Sequence, residues 1–404
     1  MRDGDTKPLT VLMTADAVGG IWHYALALCA ALPEIRFVLA VMGPMPSAAQ
    51  RDAAGRLDNL VLEEYGHRLE WMQGAAGNLE ASRHWLTLLA RRYRADLLHV
   101  NGYAHARNET ELPTLAVAHS DVLSWWHHVH REAAPAEWGP YRREVMAGLR
   151  AADRVVAPTA AVLDDLARHY GFGPGSGTVI PNGINIAFYA PQPKRAAIMA
   201  AGRLWDEAKN LALLDEAAAD LDWPVEIAGE ANHPEGGQAR LRAARALGVL
   251  TPAELAERLG ATAIYAAPAR YEPFGLSILE AAASGCALVL GDIPYLRENW
   301  EGAALFAPPN DVGAWRTTLS CLIACDSRRE ALGTTARRRA LDFSREHMAM
   351  RYAELYCELV SSRMSRGKVR DSRGIARTRF TFPRLWHGPL PLPPGGRRGA
   401  VVAG

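Results

Sequence analysis

Long apolar runs are scarce in this 404-residue chain. None approaches the roughly 18 consecutive apolar residues that a membrane-spanning helix needs. The start, Met1-Arg-Asp-Gly-Asp-Thr-Lys-Pro8, carries no apolar segment of the signal-peptide kind before the first strand. Cysteine is also sparse. The five thiols, Cys29, Cys286, Cys321, Cys325 and Cys357, are odd in number and lack paired metal-ligand spacing. They read as buried reduced thiols, with Cys321 and Cys325 on one helix face, and this fits a cytoplasmic compartment. Any membrane contact is then expected to be peripheral, at the inner face. Net charge is +1, which argues against nucleic acid or another polyanion as a partner of the whole molecule. The charge is uneven, however: residues 363–404 hold ten Lys/Arg and one acid, Asp371.

What is present is apolar content, 49% of the chain, enough for two buried domains. Strand-like runs alternate with amphipathic helical stretches. Thr10–Ala15, Phe37–Met42, Leu60–Glu64, Asp96–Val100, Thr114–Ala118 and Val155–Ala157 read as strands. Ile21–Leu32, Leu79–Tyr93 and Tyr141–Ala151 read as helices between them. Continuous apolar strands separated by helices specify a parallel sheet covered on both faces, an α/β architecture. The pattern restarts after Val179-Ile-Pro-Asn-Gly183. Strands are expected at Ala196–Ala201, Val225–Ala228, Thr262–Ala267, Ala287–Leu290 and Ala303–Phe306. Helices are expected at Asn210–Asp220, Ala253–Leu259, Leu276–Ala283 and Val312–Ala324. Residues 183–195, with Pro181, Pro191 and Pro193 in or beside them, have linker composition. The expected division is a first domain over 1–183 and a second over 184–345. Residues Arg328–Ser361 read as two helices, split near Phe343-Ser344, and the helix over 346–362 is expected to pack back across the domains. The Pro- and Gly-rich basic tail over 363–404 is expected to be disordered.

Two strand ends in the second half carry candidate chemistry. In Ala201-Gly-Arg-Leu-Trp-Asp-Glu-Ala-Lys-Asn210, Arg203 and Lys209 emerge beyond the carboxyl end of a strand. That is where ligands bind in doubly wound sheets. A guanidinium fork and an ammonium point charge suit a diphosphate. Surface ion pairs with Asp206 and Glu207 are the competing explanation. In Pro268-Ala-Arg-Tyr-Glu-Pro-Phe-Gly-Leu-Ser-Ile-Leu-Glu280, a helix begins near Gly275. The free amides of a helix N-terminus attract an anion. Glu272 precedes that site, and Glu280 lies one turn beyond Leu276. Carboxylates accept from vicinal diols, so a sugar and a ribose are the matching partners.

Glu272 and Glu280 form an E-x7-E pair. Together with Gly202-Arg-Leu…Lys-Asn210 and Val179-Ile-Pro-Asn-Gly183, in this order, the chain resembles glycosyltransferase family 4, the group 1 transferases. The resemblance runs over residues 10–345. It implies two Rossmann-like domains facing a central cleft, the GT-B fold. It implies a retaining glycosyltransferase that moves a sugar from a nucleotide-diphosphate sugar to a carbohydrate, lipid-linked or small-molecule acceptor. Arg203 and Lys209 would neutralise the leaving diphosphate. Glu272 would contact the transferred sugar, helped by the amides of Phe274, Gly275 and Leu276, and Glu280 the ribose. Gly202 completes the turn. No metal or other cofactor is implied, because the two cations take a metal's place, and no Asp-x-Asp metal site is read here.

On the first-domain side, Gly19 and Gly20 follow the first strand, where the family has a Gly-Gly turn. A plain tight turn explains two glycines equally well. His119 matches a family histidine that faces the reacting sugar. Asn101 ends the preceding strand at the cleft. Trp125-Trp126-His127-His128 suits either an acceptor platform or a core helix. One departure is Gly291-Asp-Ile-Pro-Tyr-Leu-Arg-Glu298, where Asp292 stands in place of a glycine in the family's Gly-Gly-x-x-Glu turn. Two other functions fit the same pocket: a nucleotide-sugar epimerase or hydrolase, and a non-catalytic subunit that kept the fold.

Overall fold

A computed structural model describes residues 7–370 except 73, 174, 234 and 235. The first sheet and its helices are β1 (Thr10–Asp16), α1 (Gly20–Ala31), β2 (Arg36–Met42), α2 (Ala48–Gly55), β3 (Leu60–Glu64), α3 (Ala76–Tyr93), β4 (Leu97–Val100), β5 (Thr114–Val117), α4 (Val122–His130), α5 (Gly139–Ala151), β6 (Arg154–Ala157), α6 (Ala160–Tyr170) and β7 (Thr178–Val179). The second set is β8 (Arg195–Ala201), α7 (Leu211–Ala218), β9 (Val225–Ala228), β10 (Arg245–Gly248), α8 (Pro252–Ala261), β11 (Thr262–Ala267), α9 (Leu276–Ala283), β12 (Ala287–Gly291), α10 (Pro294–Trp300), β13 (Leu305–Ala307), α11 (Val312–Ile323), α12 (Asp326–Ala340) and α13 (Arg345–Arg370).

The strand order is β3-β2-β1-β4-β5-β6-β7 in one sheet and β10-β9-β8-β11-β12-β13 in the other, and every pairing is parallel. Each order reverses once, between β1 and β4 and between β8 and β11. Those reversals open crevices at the strands' carboxyl ends. All seven residues of β1 are buried, and so are all five of β12, as strands covered on both faces require.

Local signals set several boundaries. Thr251 and Glu254 form a capping box at the start of α8, with Pro252 in its first turn. Thr159 caps α6 and Gly171 ends it at φ +66°. Asp121 caps α4 by accepting from the Ser124 amide at 2.8 Å. The short elements α2, α6, α10, β7 and β10 were not among the strands and helices expected above, and of the two readings for Trp125–His128 the helix is the one found, as α4. Strand β10 in particular is an exposed edge with little apolar alternation to mark it.

The joint at 183–195 lies beside the turn from α12 to α13. The Arg345 amide donates to Ile184 O at 2.9 Å, and the Ile184 amide to Phe343 O at 3.2 Å. A Cβ on Gly183 would stand 2.4 Å from Ser344 O, so only glycine fits there. Helix α13 then returns to the first domain. Its Met348, Ala349, Tyr352, Tyr356 and Leu359 join one buried cluster with Val11, Trp22 and Tyr24. The helix continues to Arg370, eight residues past its expected end. Residues 363–370, expected to belong to a disordered tail, therefore continue the helix, and the rest of that tail, 371–404, lies outside the described residues.

The cysteines depart from expectation. Cys29 and Cys286 are buried, but Cys321 is exposed and Cys325 and Cys357 are only partly covered. Helix α11 buries Trp315, Leu319 and Leu322, which turns Cys321 outward. Cys325 caps the next helix and does not share a helix with Cys321.

Candidate functional site

The segment after β8 and the segment after β11 are stitched together before any ligand is considered. Asn210 adopts a left-handed conformation, φ +56°, at the start of α7. Its side-chain carboxamide nitrogen donates to Pro268 O at 2.9 Å and Pro309 O at 2.6 Å. The Arg270 amide donates to Ala208 O at 2.9 Å. Gly202 packs under Lys209: a Cβ there would lie 3.3 Å from Lys209 Cγ. This places Lys209 Nζ on Glu272 Oε2, in an ion pair that is mostly shielded from solvent. Arg203 turns toward Asp206, its terminal nitrogen 2.5 Å from Oδ2, and its guanidinium lies over the Trp205 ring. The ion-pair explanation is thus correct for Arg203 and Asp206. For Lys209 the partner is Glu272 rather than Glu207, which brings a cation and a carboxylate of the candidate site together.

Glu280 projects from α9 and accepts from the Tyr189 hydroxyl at 2.8 Å. Burial pushes its carboxyl up to about 7. Gly275 starts α9 at φ +87°, a conformation that costs glycine nothing. The Phe274 side chain is buried edge-on against Phe343, so only its backbone is available to a ligand. Leu276 is partly exposed and reaches the other domain. Its Cδ1 lies 3.4 Å from where a Cβ on Gly20 would stand. Gly19, at φ +81°, is similarly apposed to Arg203, 3.8 Å from its terminal nitrogen by the same measure. The Gly-Gly turn of the first domain therefore closes directly on Arg203 and Leu276 of the second. A side chain at either position would enter that contact.

His119 and Asn101 meet on the first-domain wall. His119 Nε2 and Asn101 Oδ1 are 2.9 Å apart, and Tyr24 packs edge-on at 4.7 Å between ring centroids. Burial lowers His119 to about 3, so it is neutral in the physiological range. Asp16 ends β1 beside the Gly-Gly turn and accepts from the Val18 amide at 2.8 Å. Burial raises it to about 6 against the lowering field of Arg203. Sequence reasoning passed over Asp16, although an acid at the end of a buried strand was a visible signal. It also passed over Tyr189, which has no local signature. Among the described residues no three His, Cys, Asp or Glu side chains group closely enough to hold a metal ion.

Around this core, further contacts join the domains. Glu298 accepts from the Ala160 and Ala161 amides at 2.7 and 3.1 Å, capping α6 from across the cleft. Thr159 donates to Pro273 O at 3.2 Å. His128 Nε2 donates to Asp165 Oδ2 at 2.9 Å, and its ring stacks on Tyr271 of the second domain. Tyr295 donates to the same Asp165. The Trp125–His128 run therefore forms helix α4 and spends His128 on the domain contact. Asp292 pairs with Arg297 at 2.5 and 2.9 Å.

Two Rossmann-like domains closed on a cleft, with paired cations and carboxylates on one wall, are the architecture of the GT-B glycosyltransferases. The model of the family described as Glycosyltransferase Family 4 matches residues 18–188. That described as Glycosyl transferases group 1 matches residues 195–325. A glycogen synthase of Mycobacterium tuberculosis is 30% identical over 295 residues, 66% of this chain and 69% of that protein. A D-inositol 3-phosphate glycosyltransferase of Kineococcus radiotolerans is 30% identical over 258 residues, 53% of this chain. The match spans 59% of that relative's length. The chain belongs to glycosyltransferase family 4, the group 1 glycosyl transferases. The fold is shared with solved structures at low identity. A sucrose-phosphate synthase from Thermosynechococcus elongatus superposes with TM-score 0.72 at 18% identity, covering 88% of this chain and all of that one. Anabaena Alr3699/HepE, solved with UDP and glucose, gives 0.71 at 17% identity, covering 87% and 100%.

Proposed function

We propose that this protein is a retaining glycosyltransferase that moves a hexose from a nucleotide-diphosphate sugar to a hydroxyl acceptor held by the first domain. The observation that carries the reading is the apposition of Arg203 and Leu276 to the Gly19-Gly20 turn, with the Lys209–Glu272 pair held beside them in the second domain. In this reading a diphosphate draws Lys209 from Glu272 and Arg203 from Asp206. Glu272 is then free to accept from hydroxyls of the transferred sugar, and the α9 amides at Gly275 and Leu276 add neutral donors. Glu280 takes the ribose. His119 and Asn101 line the opposite wall. The leaving phosphate oxygen takes the acceptor's proton on the same face of the sugar, which gives retention. The protein's contribution is charge stabilisation on the diphosphate and exclusion of water by closure.

Uridine is the first base to test, because the Anabaena neighbour was solved with UDP and glucose. A polyol phosphate is the first acceptor class to test, because several relatives are named for D-inositol 3-phosphate. The experiment is a thermal-shift screen of nucleoside diphosphates, followed by transfer assays on the stabilising base with NMR of the product's anomeric centre. Inversion would refute the retaining mechanism. Release of free sugar or an epimer without any acceptor would support the hydrolase or epimerase alternative. No stabilisation by any diphosphate would favour a non-catalytic subunit. Among the described residues no helix is long and apolar enough to cross a membrane. Peripheral attachment through the basic tail is tested by co-sedimentation with anionic vesicles before and after deletion of 363–404, unchanged sedimentation removing the idea.

A further inference from the structure

Helix α13 follows the second domain in sequence but packs on the first, and one of its side chains reaches toward the cleft. The Tyr356 hydroxyl lies 2.6 Å from His99 Nδ1. His99 Nε2 lies 3.2 Å from Asn101 Oδ1, the same oxygen that meets His119 Nε2 at 2.9 Å. Tyr352, also on α13, stacks on the His99 ring at 5.5 Å and 21°. Tyr24 covers both rings, its hydroxyl 3.4 Å from His99 Nε2.

The proton positions in this chain follow from what each atom is able to do. The Asn101 carboxamide nitrogen donates to Thr14 O at 2.7 Å, and the Asn101 amide donates to Thr14 Oγ1 at 2.9 Å. A backbone carbonyl only accepts, so the Asn101 amide cannot be flipped, and Oδ1 must face the two histidines. An amide oxygen has two lone pairs and no proton, so both Nε2 atoms must donate. Burial keeps both rings neutral, His99 and His119 each lowered to about 3. His99 Nδ1 is therefore a lone pair and accepts from Tyr356, whose hydroxyl burial holds well above its ordinary value and hence protonated. The donors and acceptors alternate without conflict from Tyr356 to His119. His119 Nδ1 is left as a lone pair, an acceptor for a hydroxyl. The reverse tautomer of His99 would set a lone pair against Asn101 Oδ1 and take from the Tyr356 hydroxyl proton the acceptor that Nδ1 provides.

We infer that Tyr356 and His99 are positioning residues: together with Thr14 they hold the Asn101 carboxamide in place, whose Oδ1 keeps His119 as the Nε2–H tautomer, with Nδ1 ready to accept a sugar hydroxyl. The last clause rests on the glycosyltransferase reading above; the tautomer assignment does not. It gives the returning helix a part in the reaction, because the cleft of the first domain is completed by a residue that lies beyond the second.

The test is two-bond ¹H–¹⁵N correlation on the full chain labelled at histidine, combined with donor kinetics. Wild-type His99 and His119 should both appear as Nε2–H. Tyr356→Phe should leave His99 Nδ1 without a donor, moving its ¹⁵N resonance toward that of an unbonded lone pair while Nε2 stays protonated, and lower kcat/KM for the donor about fivefold, since only the correctly hydrogen-bonded fraction is competent. Its Kd for the nucleoside diphosphate should stay unchanged, because those contacts belong to the second domain. His99→Gln should keep wild-type kinetics and a pure Nε2–H His119, since a carboxamide offers a donor and an acceptor in the same order. A merely structural Tyr356 would move the melting temperature without lowering kcat/KM. Wild-type His99 or His119 as Nδ1–H would overturn the inference, as would Tyr356→Phe with kcat/KM within twofold of wild type. If no donor is turned over by wild type, the glycosyltransferase reading fails and the spectra alone still decide the tautomer.

Discussion

Replacing Lys209 by Met separates charge from packing at the donor site. The Met side chain retains the methylene stem that lies against Gly202, where a Cβ would be 3.3 Å from Lys209 Cγ. It removes the ammonium that pairs with Glu272. The pair is partly solvated, Lys209 being 25% exposed, so its loss should cost at most about 1 kcal/mol of stability. In a domain of this size that is a fall of about 2–4 °C in melting temperature. The effect on rate should be far larger. One preorganised donor to a developing anion is worth about 10²–10³ in kcat, or about 2.7–4 kcal/mol. Binding of the nucleoside diphosphate should weaken by about 10- to 100-fold, the worth of one charged hydrogen bond. The assay is initial-rate kinetics with the identified donor, alongside calorimetric titration and a thermal melt. A kcat within threefold of wild type would refute the assignment of Lys209 to the leaving group. A collapse of the melting temperature would show that the residue is structural instead.

Three other outcomes are expected. In Gly229→Ala the new Cβ would stand 1.8 Å from Gly202 O at a φ of +145°, so urea unfolding should show a loss of about 3 kcal/mol or more, and a loss under 1 kcal/mol would mean the turn is elsewhere. Glu298→Ala removes the acceptor that caps α6 from the other domain and should disfavour closure by about 1 kcal/mol, seen as a roughly fivefold rise in donor KM with a more open scattering profile; an unchanged KM would count against the contact. Glu280 has its folded-state carboxyl raised to about 7, so the fold favours the protonated form and wild-type stability declines as pH rises from the ordinary glutamate range through 7. Glu280→Gln should therefore melt above wild type at pH 8 and match it near pH 5, and the opposite ordering would show that Glu280 is stabilised as a carboxylate.

Much of the fold was legible because burial leaves a local record. Strands covered on both faces must be largely apolar, so β1, β9, β11 and β12 stood out within a residue or so. The break at Phe343-Ser344 was readable too, since the Ser344 hydroxyl accepts from the His347 amide and starts α13. Helix α6 was missed and α4 was offered only as one alternative, although their caps, Asp121 and Thr159, are in the sequence. Over nine and eleven residues an apolar-rich segment shows too little of the helical period to tell it from a strand, and only the cap marks it. The exposed edge β10 buries almost nothing, so no pattern announces it. In the site, Arg203, Lys209, Glu272 and Glu280 were found by their place at strand ends. Asp16 needed the structure, because only its burial and its neighbour Arg203 make it unusual.

The sequence by itself determined two parallel α/β units, the segment that joins them, and which strand ends carry cations and carboxylates. These follow from periodicity and spacing, which depend on neighbours a few residues away. Tertiary structure alone decided which of those residues meet. It set Gly19 against Arg203 and Gly20 against Leu276, tied Lys209 to Glu272 and gave Glu298 to a helix in the other domain. It also brought Tyr356 to His99, 257 positions away in the chain. A side chain's partner across a domain contact depends on how two finished surfaces dock, and no local pattern encodes that docking.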